Sequence, residues 1–380
     1  KRALAAWYND LPVEKLAYEV VKYQERDGWS NADVLRLSHP KTSDPVRNAV
    51  YKWIVDGWDD VQRNGEYAAV IPEPIPAFET AKHISGHDIT NLIRGRNLSR
   101  EMLPTEALTK PKVWEALLDK MPLTAMIRNL GNMSKTGLLK PLSDASKTVS
   151  DRLHDQEAIR KARIHPVSVL IAMKTYSQGH GVKGKGEWTP VPSVVNALDD
   201  AFYLAFKSLE PTGKRLLFAV DVSWSMGSLC GTLPISCAEG AAAMALACVK
   251  TETDYYVMGF SQTFKDLGIT SRMTLNEALQ RTQDSNFGRT DCAVPMLWAT
   301  ENKMKVDGFI VITDNETWAG GMHPSQALRR YREQSGINAK EIIIGMIATP
   351  FSIADPDDAG TLDVAGFDTT VPQVVSEFLR

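Results

Sequence analysis

Arg215-Leu-Leu-Phe-Ala-Val-Asp-Val-Ser-Trp-Ser-Met-Gly227 opens with an apolar run, Leu216 to Val220, and closes on Asp221-x-Ser223-x-Ser225. The run reads as a strand, and a small-residue helix from Ala238 to Val249 follows after a loop. A strand that delivers one carboxylate and two hydroxyls to its carboxyl end builds an oxygen-rich cup. Such a cup suits a hard divalent cation, Mg²⁺ above all, which favours octahedral oxygen ligands and retains waters. The tripeptide pattern is short, so its weight depends on further ligands at the ends of neighbouring strands.

Two candidates lie downstream. Thr290 sits in Phe287-Gly-Arg-Thr-Asp-Cys292, before a helix over Ala293 to Thr300, and Asp314 ends the run Asp307-Gly-Phe-Ile-Val-Ile-Thr-Asp314. In an open parallel α/β sheet, ligands bind in the crevice at the carboxyl ends of the strands. Asp221, Ser223, Ser225, Thr290 and Asp314 are therefore expected to converge. The ordered set resembles the metal-ion-dependent adhesion site of von Willebrand factor A domains. The competing reading is helix capping, because Ser, Thr and Asp before a helix commonly accept bonds from its orphan N–H groups.

From Lys214 onward apolar strands alternate with helices. Strands are expected at Leu216–Val220, Tyr255–Phe260, Phe309–Thr313 and Glu341–Ile347. Helices are expected at Ala238–Val249, Leu275–Arg281, Ala293–Thr300, Ser325–Gln334 and Val371–Leu379. Strands that are apolar throughout belong to a sheet covered on both faces, and the alternation predicts a doubly wound parallel sheet. Before Glu210-Pro-Thr-Gly213 the pattern is helical. Val13 to Arg26 places Val13, Leu16, Ala17, Val20 and Val21 on one face. Ser30-Asn-Ala-Asp33 reads as a capping box for a helix ending near His39-Pro40. Further helices are expected over Pro45–Asp56, Ile89–Leu98, Val113–Met121, Pro122–Leu130, Leu153–Ala162, Pro166–Tyr176 and Val194–Leu209, with Ile71-Pro-Glu-Pro-Ile-Pro76 as a connector. The expected organisation is a helical-repeat region over residues 1–210 and an α/β domain over 214–380.

The 380 residues carry a net charge of −3, and 43% are hydrophobic, as in an ordinary globular protein. No apolar run approaches the roughly 20 residues of a membrane span, so no membrane partner and a cytoplasmic setting are expected. The charge is uneven. Residues 1–210 hold 29 Lys+Arg against 26 Asp+Glu, and 82–185 hold 18 against 9. A basic stretch in an acidic chain suits a polyanion, although solvated helix faces also produce one. The four cysteines show no CxxC spacing and read as structural thiols. Gly179-His-Gly-Val-Lys-Gly-Lys185 imitates a P-loop, but Gly186 replaces the Ser or Thr and no strand precedes it. His323 has no nucleophile in an elbow setting, and no enzyme is expected.

Several long strings resemble the Ro autoantigen family, RNA-binding proteins of the TROVE class. They are Met121-Pro-Leu-Thr-Ala-Met-Ile-Arg-Asn-Leu-Gly131, Ala162-Arg-Ile-His-Pro166, Gly179-His-Gly181 and Glu210-Pro-Thr-Gly-Lys-Arg215. Thr313-Asp-Asn-Glu-Thr317, Ala319-Gly-Gly-x-His-Pro324 and Ile353-Ala-Asp-Pro-Asp-Asp358 extend the resemblance nearly end to end. It implies HEAT-like repeats arranged as a ring and closed by a von Willebrand A domain. It also implies binding of small non-coding Y or Y-like RNA, capture of misfolded RNA 3′ ends, a role in RNA quality control and, in a bacterial host, an exoribonuclease partner. The family's Y-RNA contacts fall here on Lys22, Arg26 and His39. Read as chemistry, Lys22 and Arg26 stand four apart on one expected helix face, placed to grip neighbouring phosphates, and His39 offers a ring for a base or a phosphate. Against the family pattern, the helical region is expected to lack amino-terminal repeats, and Arg289 stands where a Gly is usual, beside the expected metal. An acidic ligand or partner protein is expected at the open metal position. A metal-dependent adhesion or assembly module on a helical scaffold is the alternative.

Overall fold

The computed structural model describes residues 1–182, 186–261, 264–283, 290–314, 320–348 and 353–380. Arg289, the residues Asn315 to Thr317 and the pair Lys183 and Lys185 lie outside the described residues. The chain forms two compact units, one of Lys1–Pro122 with Thr136–Leu139, the other of Leu123–Lys135 with Lys140–Arg380.

The first unit holds α1 (Arg2–Asp10), α2 (Val13–Lys22), a two-stranded ribbon of β1 (Glu25–Arg26) and β2 (Trp29–Ser30), then α3 (Asn31–Ser38) and α4 (Pro45–Asp56). It continues through α5 (Trp58–Arg63), α6 (Gly65–Val70), α7 (Pro74–Ala81), α8 (Gly86–Arg96) and α9 (Pro111–Leu118). The apolar face expected of α2 is buried, with Leu16, Ala17, Val20 and Val21 at most 1% exposed. The expected continuation to Arg26 is wrong. The helix stops at Lys22, because Asp27 and Gly28 take positive φ angles of 52° and 78° and turn the chain into a hairpin. Asp-Gly between two extended residues is a strong hairpin signal, and here it overrides the helical period. Ser30 caps α3 as expected, in a box completed by the Asp33 carboxylate. The proline connector is in part helix, since Pro74 occupies the first turn of α7, where its missing N–H costs nothing.

The second unit begins with α10 (Leu123–Lys135), α11 (Asp144–Leu153), α12 (Gln156–Lys161), α13 (Pro166–Ser177) and α14 (Pro192–Phe206). The single helix expected over Leu153–Ala162 is instead the end of α11 and all of α12, divided at Asp155, whose carboxylate accepts the Ala158 N–H and starts a new helix. The α/β part contains β3 (Leu216–Asp221), α15 (Cys237–Thr251), β4 (Tyr255–Phe260), β5 (Phe264–Asp266) and α16 (Leu275–Thr282). It goes on with α17 (Val294–Glu301), β6 (Gly308–Thr313), α18 (Pro324–Ser335), β7 (Lys340–Gly345), β8 (Thr361–Ala365) and α19 (Val371–Leu379). The sheet order is β5-β4-β3-β6-β7-β8, all neighbours parallel except β5 with β4. Every residue of β3 and β6 is buried, as a sheet covered on both faces requires. One face packs Phe260, Phe309 and Ile343 against Met296, Leu328 and Tyr331 of α17 and α18. The two edge strands were not legible, because β5 has three residues and β8 carries Asp363 at its centre. All four cysteines are buried reduced thiols.

Candidate metal cup and nucleic-acid interface

Parallel pairing places the ends of β3 and β6 side by side, with Val220 opposite Ile312. The next residues in each strand are Asp221 and Thr313, and both are wholly buried. One Asp221 oxygen, Oδ1, accepts the Ser223 N–H at 2.8 Å, which turns the chain back over the strand end. The other, Oδ2, accepts from the Thr313 hydroxyl at 2.7 Å and from the Thr290 hydroxyl at 3.2 Å. The Ser223 and Ser225 hydroxyls lie 3.0 Å apart. Four of the five expected residues therefore form one connected set around a single carboxylate.

Asp314 joins the set through charge. Burial pushes the Asp221 carboxyl up from its ordinary range, bonds from Ser223 and Thr313 pull it down, and the negative Asp314 beside it pushes it up again. The carbonyl of Asp314 also accepts the Ile347 N–H at 3.2 Å, which anchors it to the segment following β7. Thr313, missed from the sequence, is the second hydroxyl on Asp221; its place immediately before Asp314 on the neighbouring strand was the available signal. Among the described residues, no three Asp, Glu, His or Cys side chains gather as a metal cluster. The groups assembled here are two carboxylates and three hydroxyls, an all-oxygen set chemically compatible with a hard divalent cation. Trp224 and Leu229, near in sequence to Ser223 and Ser225, are 74% and 62% exposed.

The capping alternative fails for Ser223. It stands before the short 3₁₀ turn Trp224–Gly227 but makes no cap bond to it. Asp291, next to Thr290, closes a turn ahead of α17, its Oδ1 accepting the Ala293 N–H at 2.9 Å. His323 caps α18 and bonds the Ser325 hydroxyl at 2.8 Å through Nδ1.

The basic candidates lie in the first unit. Lys22 ends α2, with its ammonium 5.0 Å from the Tyr23 ring and 5.8 Å from the Tyr18 ring. Partial burial lowers its affinity for the proton, but Tyr23, Tyr18 and Glu101 outweigh that and hold its pKa above the ordinary lysine value. Arg26 is not on the same helix face as Lys22, contrary to expectation. It is exposed on β1, opposite Trp29. His39 is the left-handed C-cap of α3, exposed, with its N–H on the Leu35 carbonyl at 2.9 Å. The eight residues of α3 separate His39 from the hairpin by about 12 Å at ~1.5 Å per residue. The three residues thus form an extended strip rather than a pocket.

The basic excess over 82–185 is partly internal. Lys82 pairs with Glu79, Arg94 with Asp119, Arg96 with Glu73 and Arg160 with Glu157. Those four report folding of solvated helix faces more than a polyanion site. The imitation P-loop follows helix α13 rather than a strand, and its described part is closed by a bridge between His180 and Glu187.

Both halves of the chain have known counterparts. The Ro60 von Willebrand A domain profile matches residues 215–379, and the TROVE domain profile matches residues 94–175. The chain is 44% identical to the RNA-binding protein RO60 of Deinococcus radiodurans, a match covering 100% of this chain and 71% of that protein. It is 38% identical to the RNA-binding protein RO60 of Caenorhabditis elegans, covering 100% of this chain and 65% of that one. The crystal structure of the Deinococcus radiodurans RO (RSR) protein superposes with a TM-score of 0.85 at 43% identity, over 100% of this chain and 76% of that one. No helix among the described residues is long and apolar enough to cross a membrane.

Proposed function

Because this chain belongs to the Ro60 family of TROVE and von Willebrand A domain proteins, we propose that it is a non-catalytic RNA-binding protein. Its ligand is a small structured non-coding RNA of the Y type, held by phosphate contacts along Lys22, Arg26 and His39. Ends of misfolded RNAs are a second cargo, and quality control with an exoribonuclease is the cellular setting. The identity to two proteins named as RNA-binding carries this reading. Lys22, half-buried at the end of α2, and Arg26, exposed beside the Asp27 carboxylate, support it, since charge delivered to a phosphate backbone supplies the sequence-independent part of affinity.

In the second domain, taken as residues 214–380, Asp221, Ser223, Ser225, Thr290 and Asp314 are assigned to a Mg²⁺. When bound, the ion supplies positive charge and one open position for a carboxylate of an acidic ligand or partner protein. The chain's own part is to hold Asp221 rigid through Ser223, Thr290 and Thr313, so that the donors do not have to reorganise on binding. The exposed Trp224 favours a second reading, in which the metal face docks a protein and the helical region serves as scaffold.

A salt-titrated gel shift with a Y-like stem RNA tests the first reading. Affinity is expected to fall steeply with salt and to drop in a Lys22→Ala/Arg26→Ala variant. Binding indifferent to both removes the proposed RNA site.

A further inference from the structure

Cys230 and Cys237 flank the loop that follows Ser223 and Ser225. That loop closes on an antiparallel bridge between Leu229 and Ser236. The Cys230 N–H donates to the Ile235 carbonyl and the Cys237 N–H to the Ser228 carbonyl, both at 2.9 Å. Each cysteine follows a bridge residue, so the alternation of an extended chain sends both side chains to one face. There the two thiols meet in a hydrogen bond. Both are buried, but Leu229, Gly231 and Thr232 in the same loop are exposed, so the cover over the pair is thin. Cys248 stands about 16 Å further along α15 at ~1.5 Å per residue, and Cys292 belongs to the core beneath α17 and α18.

The pair is bonded to both sides of the cup. Ser228, which receives the Cys237 N–H, donates its own N–H to the Ser225 carbonyl at 2.9 Å. On the other side the Cys230 thiol donates to the Met346 carbonyl at 3.3 Å. The Met346 N–H in turn donates to the Thr313 carbonyl at 2.8 Å, and the Thr313 hydroxyl holds Asp221. A change at the two sulfurs therefore reaches the Ser225 turn and the end of β6 together.

We propose that Cys230 and Cys237 are a dithiol site for hydroperoxides, and that their oxidation to an intrachain disulfide weakens cation binding at the cup. The first half stands on the two thiols alone; the second rests on the cation reading of the cup. Cys237 leads, since it opens α15 at the positive end of the helix and its bond from Cys230 favours the thiolate. Its sulfur attacks one peroxide oxygen, the O–O bond breaks, water leaves, and a sulfenic acid remains. The Cys230 sulfur then attacks that sulfur, the S–O bond breaks, and a second water leaves with the Cys230 proton. Two thiols and one hydrogen peroxide thus become one disulfide and two waters. A disulfide holds its Cα atoms within about 4.4–6.8 Å, whereas diagonal neighbours across an antiparallel pair stand ~7–8 Å apart. Closure therefore draws the bridge together, and it strips the S–H donor from the Met346 carbonyl.

The test treats the reduced full chain with hydrogen peroxide, alkylates remaining thiols in denaturant and maps the peptides by mass. A linked Cys230–Cys237 peptide is expected, with Cys248 and Cys292 alkylated and the link cleaved by dithiothreitol. Calorimetry with Mg²⁺ on the folded protein should show affinity lowered roughly threefold to tenfold by oxidation, the worth of one net hydrogen bond, and restored by dithiothreitol. The Cys230→Ser/Cys237→Ser variant should bind Mg²⁺ as the reduced native chain does, before and after peroxide. Failure to form the link, or a link through Cys248 or Cys292, overturns the dithiol site. Equal Mg²⁺ affinity of the reduced and disulfide forms overturns the coupling, as does a peroxide effect that persists in the double variant. No Mg²⁺ binding by the reduced native chain removes the cup and the coupling with it, while the peptide map still decides the dithiol.

Discussion

The hydroxyl of Thr313 donates to Oδ2 of Asp221 at 2.7 Å, tying the end of β6 to the end of β3 inside a wholly buried environment. Replacing it by the similarly shaped Val leaves the carboxylate with the longer Thr290 bond on that oxygen. A buried acceptor deprived of a donor costs about 1–3 kcal/mol. Thr313→Val is expected to lower the unfolding free energy by about that amount, read as a lower urea midpoint at an unchanged m-value. An unaltered midpoint would show that Thr290 and Ser223 suffice.

Mg²⁺ binding to the folded cup should appear as stabilisation by mass action. At a concentration a hundredfold above the dissociation constant the gain is about 2.7 kcal/mol, read as a raised melting temperature. Asp221→Asn and Asp314→Ala are expected to abolish that shift. Calorimetry on Asp314→Ala that returns the native heat would strike Asp314 from the ligand set.

Glu341 sits at the start of β7 with both carboxyl oxygens buried and without a hydrogen-bond partner among the described residues. Burial first, then the nearby Asp363 and Asp358, push its pKa from 4.5 to about 8, while Arg332 pulls the other way. The unfolded chain therefore releases this proton at lower pH than the folded one. Below about pH 4.5 the carboxyl is neutral in both states and exacts no penalty. Between there and about pH 8 stability falls as pH rises, by up to about 1.4 kcal/mol per unit, and then levels off. Glu341→Gln should flatten this part of the stability–pH curve and exceed the native stability at pH 8. Parallel curves for the two proteins would refute the assignment.

Gly131 in α10 lies beneath Trp188. A Cβ there would come within 2.8 Å of the indole ring, which is held by its own bond to the Tyr176 carbonyl at 2.9 Å. Helix propensity alone favours Gly131→Ala by about 1 kcal/mol, and overpacking of a fixed ring opposes it by about 1–3 kcal/mol. The clash is expected to win. Chemical denaturation should show a net loss, and a stabilised variant would mean that the ring can move.

Salt dependence discriminates phosphate binding from general stickiness. Removing one phosphate-binding cation makes the slope of log K against log salt shallower by about 0.9 on a duplex. Lys22→Ala/Arg26→Ala should therefore reduce the slope by about 2, a change measured by titrating affinity at several salt concentrations. Weaker binding at an unaltered slope would point to altered packing instead.

Local order and chemistry govern what can be read from the chain alone. Apolar strands such as Leu216–Asp221 and Gly308–Thr313 are buried on both faces, so their hydrophobicity is continuous and visible. The order of Asp221, Ser223, Ser225, Thr290 and Asp314 was likewise plain, because parallel strands bring their carboxyl ends to one edge of the sheet. Where tertiary context outweighed periodicity, the sequence misled. Arg26 looked helical at four residues from Lys22, yet the Asp27-Gly28 turn and the Asn31 anchors made it a strand residue facing Trp29. Edge strand β8 escaped notice because parallel pairing with β7, not its own apolar content, makes it a strand. The sequence by itself determined which oxygen-bearing groups stand at the strand ends and which central strands exist, since those follow from side-chain chemistry and period. Only the tertiary structure decided that Thr313 completes the grip on Asp221, that Glu341 is sealed from water, and that a tryptophan stands beside Arg26. Each depends on neighbours distant in the chain or on a turn, and no local pattern records them.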